Sequence, residues 1–393
     1  MKIKKRLLIA GHSSEFLGGA EDEYQKLLEF LFNKSDLYDI DAIFPEGGRS
    51  REFALYCKNY VTYERCFLPA SRRPILEYFG FLKSYYNQKN IIESFIGNNH
   101  YDLCIINSSV MLWFVVFLSK KGIKLLLMVR ETIKPDWLRR LLYKYYSKKV
   151  KYLVFANKRN RKEYEIITKH DNSSTLYYNL KFDIPKLDDK IILNDIGDKL
   201  YKLLKDPAEF KIMISGYVYD VKNQIMAVKS LHLMRKKGYK IPILIIKGDF
   251  SEKEKYFLKI KRFIRKYGLE ENVYFVRYLE KNKYYKLFEL VNALLITSKE
   301  EGCPLVLFEA MYFEKIIIST KVGGVEDLIS EGVNGYFVNN EDETAERIHY
   351  IMNNEKIKRK CELNAKKMFD DKLSGNFVNE KIIKIIDNVI ENK

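Results

Sequence analysis

The sequence predicts an α/β chain of two doubly wound parallel-sheet domains that face each other across a cleft. Three observations carry that expectation. Short apolar runs alternate with amphipathic stretches of helical period, the order expected of βαβ units. The alternation occurs twice, on either side of a polar stretch at 181–209 that contains Asp and Pro and reads as a linker. The chain has 393 residues, too many for one compact core of ordinary size.

The first series, expected to form a domain over 1–185, opens with the strand "RLLIAG". A Gly-rich turn, "FLGGAEDEY", leads into a helix through about Phe32. "YDIDAIFP" and "DLCIINS" read as strands, then a helix from Val110, the strand "IKLLLMVRET" and the strand "VKYLVFAN". The second series, expected over 205–370, starts with "FKIMISG" and the helix "KNQIMAVKSLHLMRKKG", stopped by Gly238. "IPILIIKGD", "NVYFVRYL", "ALLITS" and "KIIIST" are strands with helices between them, and "EGVNGYFV" reads as a hairpin. The final stretch, about 372–393, has helical period and is expected to pack back on the first domain. Ligands of such sheets bind outside the carboxyl ends of the strands.

Composition narrows the function classes. The chain is 47% apolar and 31% charged, a globular mixture without low-complexity segments. The longest apolar run, "VMLWFVVFL" at 110–118, is too short to span a bilayer. The N-terminus lacks the long apolar core and cleavage site of a signal peptide. Five scattered cysteines without a CxxC pair suit a reduced, cytoplasmic protein with no structural zinc site. Net charge is +17, and the window Arg72–Lys162 holds 19 Lys/Arg against five Asp/Glu. Two readings stay open for that window. It is a face for anionic lipid, acidic substrate or nucleic acid, or it is the background of a chain rich in Lys, Asn, Ile and Tyr. Against nucleic acid, no recognised module is present and the aromatics do not form stacking platforms.

The stretch "SKEEGCPLVLFEAM" at 298–311 carries the chemistry. Pro304 suits a first helical turn, because its missing N–H would be unpaired there anyway. The free amides of Leu305, Val306 and Leu307, with the helix dipole, then make an anion site suited to phosphate. Glu309 follows Leu305 by four residues, on the same face, where a carboxylate can accept two ribose hydroxyls. Glu301 stands just before the helix, beside the same anion. Taken singly, the two acids read equally as a loop acid and a solvated helix residue.

The surrounding pattern decides between these readings. "SKEEGCPLVLFEAM…KIIISTKVGGVEDLISEGVNGYFV" closely resembles the E-x7-E block of retaining, nucleotide-sugar-dependent glycosyltransferases of family 4, the group 1 family. The resemblance covers roughly 210–340; the first domain shows it only through "GGAE" at 18–21. It implies the GT-B fold, with two Rossmann-like domains. By position, Glu309 resembles the residue that holds the donor's ribose, and Glu301 the one near the donor sugar and its phosphate. Lys222, in "YVYDVKNQ", resembles the basic residue that binds the diphosphate, with Lys247 as a further grip. Gly302, Cys303, Leu305 and Val306 are expected along the donor, and Tyr278 near its base. Gly18 and Gly19 would let backbone approach the donor phosphate, or serve a plain turn. Arg130, Glu131 and His12 are expected on the acceptor side. Three positions depart from the family: Tyr217 stands where an Arg is usual, Arg130–Glu131 where a His is common, and Asn292 where an Asp is common.

The resemblance implies transfer with retention, from a nucleotide-diphosphate sugar, UDP-linked by default, and without metal or other cofactor. The acceptor is expected to be a glycan or lipid-linked glycan of a bacterial surface polysaccharide. The segment 134–151 motivates a peripheral position on an anionic membrane face. Trp137, Leu138, Leu141, Leu142 and Tyr145 form a stripe there, flanked by Arg139, Arg140, Lys144, Lys148 and Lys149. The same stripe could equally be core with solvated lysines outside. A non-catalytic GT-B subunit that binds a nucleotide sugar or supports a partner enzyme is the alternative, favoured by Tyr217 and Arg130. A nucleotide-sugar epimerase fits the 302–311 block less well.

Overall fold

The computed structural model describes residues 4–14, 19–64, 75–130, 137–177, 182 and 188–391. The chain divides into two compact units, Met1–Leu180 with Ser374–Lys393, and Lys181–Leu373. The strands of the first unit are β1 (Lys5–Ala10), β2 (Tyr38–Pro45), β3 (Asn59–Tyr63), β4 (Leu103–Ile106), β5 (Leu125–Val129), β6 (Tyr152–Phe155) and β7 (Ser173–Thr175). They lie in the order β3-β2-β1-β4-β5-β6-β7, and every neighbouring pair is parallel.

β4 and β5 are apolar at every position, and β1 from Leu7 on, because helices cover both faces of the sheet. Leu8, Ala10, Cys104 and Ile106 enter one core, and Leu7, Ile9, Leu103 and Ile105 the other. This is the two-residue alternation of a strand read twice. The C-terminal helix Gly375–Glu391 belongs to this unit. It buries Val378, Ile382, Ile385, Ile386 and Val389 in the second of those cores. Burial of each such side chain contributes about 1.5–3 kcal/mol.

The second unit holds β8 (Lys211–Ser215), β9 (Ile243–Lys247), β10 (Val273–Val276), β11 (Ala293–Ile296), β12 (Ile316–Ser319) and β13 (Tyr336–Phe337). Their order is β10-β9-β8-β11-β12-β13, again all parallel.

Two segments differ from expectation. Within 181–209, a helix at Leu193–Lys205, broken at Gly197 (φ +79), belongs to the second unit. It is held by buried Ile192, Leu200 and Leu204, a period-four set hidden among Asp and Lys. The "EGVNGYFV" stretch is a compact loop and not a hairpin, for β13 pairs parallel with β12. Asn334 ties the loop closed, its Oδ1 accepting from the Ser330 amide (2.7 Å) and its Nδ2 donating to the Leu328 carbonyl (2.9 Å).

Strand order reverses between β1 and β4 in one sheet and between β8 and β11 in the other. These are the topological switch points at which ligands of doubly wound sheets are bound.

Candidate active site

The candidate site lies at the second unit's switch point. Beyond β8 the chain passes through Gly216 and a single 3-10 turn, Asp220–Lys222. Asn223 closes that turn in the left-handed region (φ +53), which Asn tolerates well. The turn is tied to the loop after β11. The Lys299 amide donates to the Val221 carbonyl (2.8 Å), and Thr297 Oγ1 donates to the Lys222 carbonyl (2.8 Å). The Lys222 side chain lies over Gly216, where a Cβ would stand 3.2 Å from its Cε. The Lys222 ammonium thereby reaches Glu301 Oε1 at 2.5 Å, and Ser298 Oγ donates to the same oxygen at 2.7 Å. Both side chains of the pair are largely withdrawn from solvent, at 20% and 12% exposure.

The loop carrying Glu301 is fixed from beneath by Gly323, which has φ +46. A Cβ there would sit 2.1 Å from the Glu301 carbonyl oxygen. The Gly324 amide donates to the Gly302 carbonyl (2.7 Å). Cys303 is buried against Gly324, so its thiol faces protein.

The helix Leu305–Tyr312 follows, with Pro304 as an extended N-cap one position before the first turn. Its amides do not all stay open as the sequence suggests. Leu307 donates to the Pro304 carbonyl (3.1 Å), the short-range bond that often tightens a helix end. Those of Leu305 and Val306 have no protein acceptor among the described residues, and both residues are half-buried. One turn on, Glu309 Oε2 accepts from Tyr284 Oη (2.7 Å), and Tyr284 Oη lies 3.0 Å from Ser215 Oγ. Lys247 Nζ stands 4.3 Å from the centre of the Tyr284 ring and 5.9 Å from that of Tyr278. Burial lowers the Lys247 pKa, against the pull of Glu309 and Asp249. Burial, and then the Glu309 carboxylate, hold Tyr284 well above the usual phenol range.

Two consecutive residues thus serve two clusters. Ser215 joins Tyr284, Glu309 and Lys247; Gly216 lies under Lys222, Glu301 and Ser298. Such an arrangement offers an ammonium and two open amides to an anion, with a braced carboxylate one helical turn away. Sequence reasoning missed Tyr284, Ser215 and Ser298. The spacing of Tyr284 from the "ALLITS" strand gives no hint that its hydroxyl reaches Glu309. Tyr278 is 54% exposed and its amide donates to Asp249 Oδ1 (3.3 Å). Tyr217 is 51% exposed, its carbonyl held by Gln224 Nε2 (2.8 Å).

In the first unit, Gly19 begins the helix Gly19–Phe32, while Gly18 and Glu131 lie outside the described residues. His12 is half-buried just beyond β1. Arg130 is not presented at the surface: it is 7% exposed and forms an ion pair with Glu23. Burial pushes the Glu23 carboxyl up to about 7 even against the pull of Arg130. Glu23 flanks the buried stripe Tyr24, Leu27, Leu28 and Leu31, and that position was the available signal.

Residues 196–368 match the family described as Glycosyl transferases group 1. This part of the chain is similar to the group 1 glycosyltransferases. The matched stretch includes Lys222, Lys247, Tyr284, Glu301 and Glu309. Among similar proteins is the Campylobacter jejuni GalNAc-alpha-(1->4)-GalNAc-alpha-(1->3)-diNAcBac-PP-undecaprenol alpha-1,4-N-acetyl-D-galactosaminyltransferase. It is 27% identical over 251 residues, covering 56% of this chain and 67% of the relative. The capsular polysaccharide biosynthesis glycosyltransferase CapM of Staphylococcus aureus is 24% identical over 196 residues, covering 48% of each chain. The alignments therefore span about two thirds and about half of these relatives' lengths. The crystal structure of Anabaena HepE in complex with UDP superimposes with a TM-score of 0.75 at 16% identity, covering 98% of this chain and 100% of that one. The group 1 unit and its companion together thus have the GT-B fold.

Proposed function

We propose that this chain is a retaining glycosyltransferase that moves a sugar from a nucleotide diphosphate to a glycan or lipid-linked glycan of a surface polysaccharide. The observation that carries this reading is the Lys222–Glu301–Ser298 cluster beside the open amides of Leu305 and Val306. The donor's diphosphate replaces Glu301 as the partner of Lys222 and takes the two amides. As the bond from the anomeric carbon to the diphosphate oxygen breaks, charge grows on that oxygen, and these donors stabilise it in place. The acceptor hydroxyl attacks from the face the diphosphate leaves. The new C–O bond forms there, and the proton passes to the departing oxygen. Glu301 orients the donor sugar, and Glu309 takes the ribose hydroxyls. Lys222 and the helix supply the positive potential, so no metal is required.

The relatives support a UDP donor and a lipid-linked acceptor. HepE was crystallised with UDP and with UDP-glucose, and the Campylobacter relative is named for an undecaprenol-linked glycan. A thermal-shift screen against UDP-, GDP- and ADP-sugars tests the donor, because a true donor raises the melting temperature by mass action. Incubation of the stabilising sugar with lipid-linked acceptors should then give product of unchanged anomeric configuration, undiminished by EDTA. Inverted product, or activity abolished by EDTA, contradicts the reading. Donor stabilisation without transfer or donor hydrolysis would favour the non-catalytic subunit.

Membrane contact is the second part of the proposal. In the helix Trp137–Ser147 the buried residues among those described are Tyr143, Tyr146 and Ser147, with Leu142 packed against the core. The stripe read from the sequence therefore splits. Leu141 (57%) and Tyr145 (53%) are exposed, beside exposed Arg140 and Lys144. The side chains of Trp137, Leu138 and Arg139 lie outside the described residues. No acidic partner meets Arg140, Lys144, Lys148 or Lys149 among the described residues, and Lys149 Nζ stands 5.1 Å from the centre of the Tyr145 ring. Exposed apolar side chains among unpaired cations suit an anionic interface. Among the described residues no helix is long and apolar enough to cross a membrane. Flotation with anionic vesicles should be lost when these cations are reversed; unchanged flotation contradicts the contact.

A further inference from the structure

We propose that Tyr284 is a positioning residue for Glu309, fixing that carboxylate for a ribose through a directed relay that begins at Ser215; this rests on Glu309 holding the donor's ribose. A phenol has one proton, and an ionised carboxylate only accepts. At 2.7 Å the Tyr284 proton therefore points to Glu309 Oε2, and the Ser215 hydroxyl must donate to the Tyr284 oxygen at 3.0 Å. The relay runs one way, from Ser215 to Tyr284 to Glu309.

Its members come from three elements of one rigid unit: the last residue of β8, the helix Lys281–Leu290 and the helix Leu305–Tyr312. Tyr284 is 9% exposed and packs edge-on against Phe288, with ring centres 5.2 Å apart, so the phenol cannot swing away. The Lys247 ammonium over the ring face holds it from the remaining side. Burial keeps the phenol protonated throughout the neutral range, so it is a permanent donor.

The consequence is recognition of a sugar hydroxyl by a carboxylate already oriented before binding. One oxygen is held by Tyr284, which fixes the orientation of the whole carboxylate. Preorganisation of this kind raises affinity by removing a cost that binding would otherwise carry. The gain should be confined to ligands whose ribose has hydroxyls to offer.

The test is a cycle between protein and ligand, read by calorimetry with UDP and 2′,3′-dideoxy-UDP on the full chain. Tyr284→Phe keeps the ring and the Lys247 contact and removes only the hydroxyl. It should weaken UDP by about tenfold, the usual worth of a hydrogen bond to a charged group. Dideoxy-UDP should bind wild type and variant alike. Ser215→Ala, further up the relay, should give a smaller loss of the same selectivity. Tyr284→Phe combined with Glu309→Ala should be no worse than Glu309→Ala alone. Equal weakening of both ligands by Tyr284→Phe would assign the residue to packing and overturn the proposal, as would no weakening of either. A Glu309→Ala protein that binds UDP as wild type would instead overturn the placement of the ribose on which the proposal rests. If Tyr284→Phe folds poorly, the Ser215→Ala measurement decides alone.

Discussion

The two switch points differ in how completely the protein satisfies its own polar groups. In the second unit, Glu301 has two donors on one oxygen, Glu309 is held by Tyr284, and Tyr284 by Ser215, while Gln224 Oε1, just after the Asp220–Lys222 turn, is buried without a partner among the described residues. In the first unit, Asn107 follows β4 fully buried, its amide donating to the Ala10 carbonyl (2.9 Å), and neither polar atom of its side chain has a hydrogen-bond partner among the described residues. Ser13 Oγ and Glu23 Oε2 are buried there without partners among the described residues as well. A buried polar atom left unpaired costs about 1–3 kcal/mol, and native chains rarely keep several together. The contrast is between acids braced before any ligand arrives and buried polar atoms that the described residues leave unpaired.

Substitutions break that contrast in order of size. Glu301→Ala should lower turnover by about 10²–10³, the scale seen when a preorganised polar group is removed from a transition state. UDP affinity should hold or tighten, because Lys222 loses its competing partner; turnover assays beside calorimetry check both, and weakened UDP binding would count against the competition. Gly323→Ala forces a side chain into the left-handed region and into the Glu301 carbonyl. The backbone conformation alone should remove about 1–3 kcal/mol from denaturant stability, and UDP binding should fall with it.

Asn107→Leu should do the reverse in the other unit. Replacing an unpaired buried amide with an apolar group of similar volume should leave the melting temperature unchanged or higher, with UDP affinity constant. A clear drop in melting temperature would show that Asn107 is satisfied within the protein. The smallest effect concerns pH. The Glu23 carboxyl in the folded chain lies near 7, above its ordinary value of 4.5. Stability from its protonated form is fully present below that ordinary value and lost as pH rises through about 7. Wild type should therefore lose melting temperature relative to Glu23→Gln between about pH 5 and 8. Parallel curves would contradict the burial of Glu23 as an acid.

Legibility followed the same divide. Long apolar strands such as Leu125–Val129 and Ile243–Lys247 were readable because burial on both faces leaves an uninterrupted apolar run. The edge strand Asn59–Tyr63 was not, since exposed and half-exposed residues break that run, and the short Ser173–Thr175 was not, since it is built of hydroxyl residues although two of the three are buried. In the site, Glu301, Glu309 and Lys222 were singled out through the family resemblance, the two acids in the 298–311 block and Lys222 in "YVYDVKNQ". Tyr284 and Ser215 act through contacts between distant elements, which no local spacing encodes, whereas Ser298 reaches Glu301 within its own loop. The ion pair of Arg130 with Glu23 joins residues far apart in the chain. It turned an expected ligand contact into an interior one for the same reason.

The central claim is that Lys222, with the Leu305 and Val306 amides, holds a diphosphate. Titration of UDP into wild type and Lys222→Met at two salt concentrations tests it most directly. At least tenfold weaker binding is predicted for the variant, with a shallower dependence on salt because one phosphate contact is gone. Equal affinity and equal salt dependence in the two proteins would contradict it.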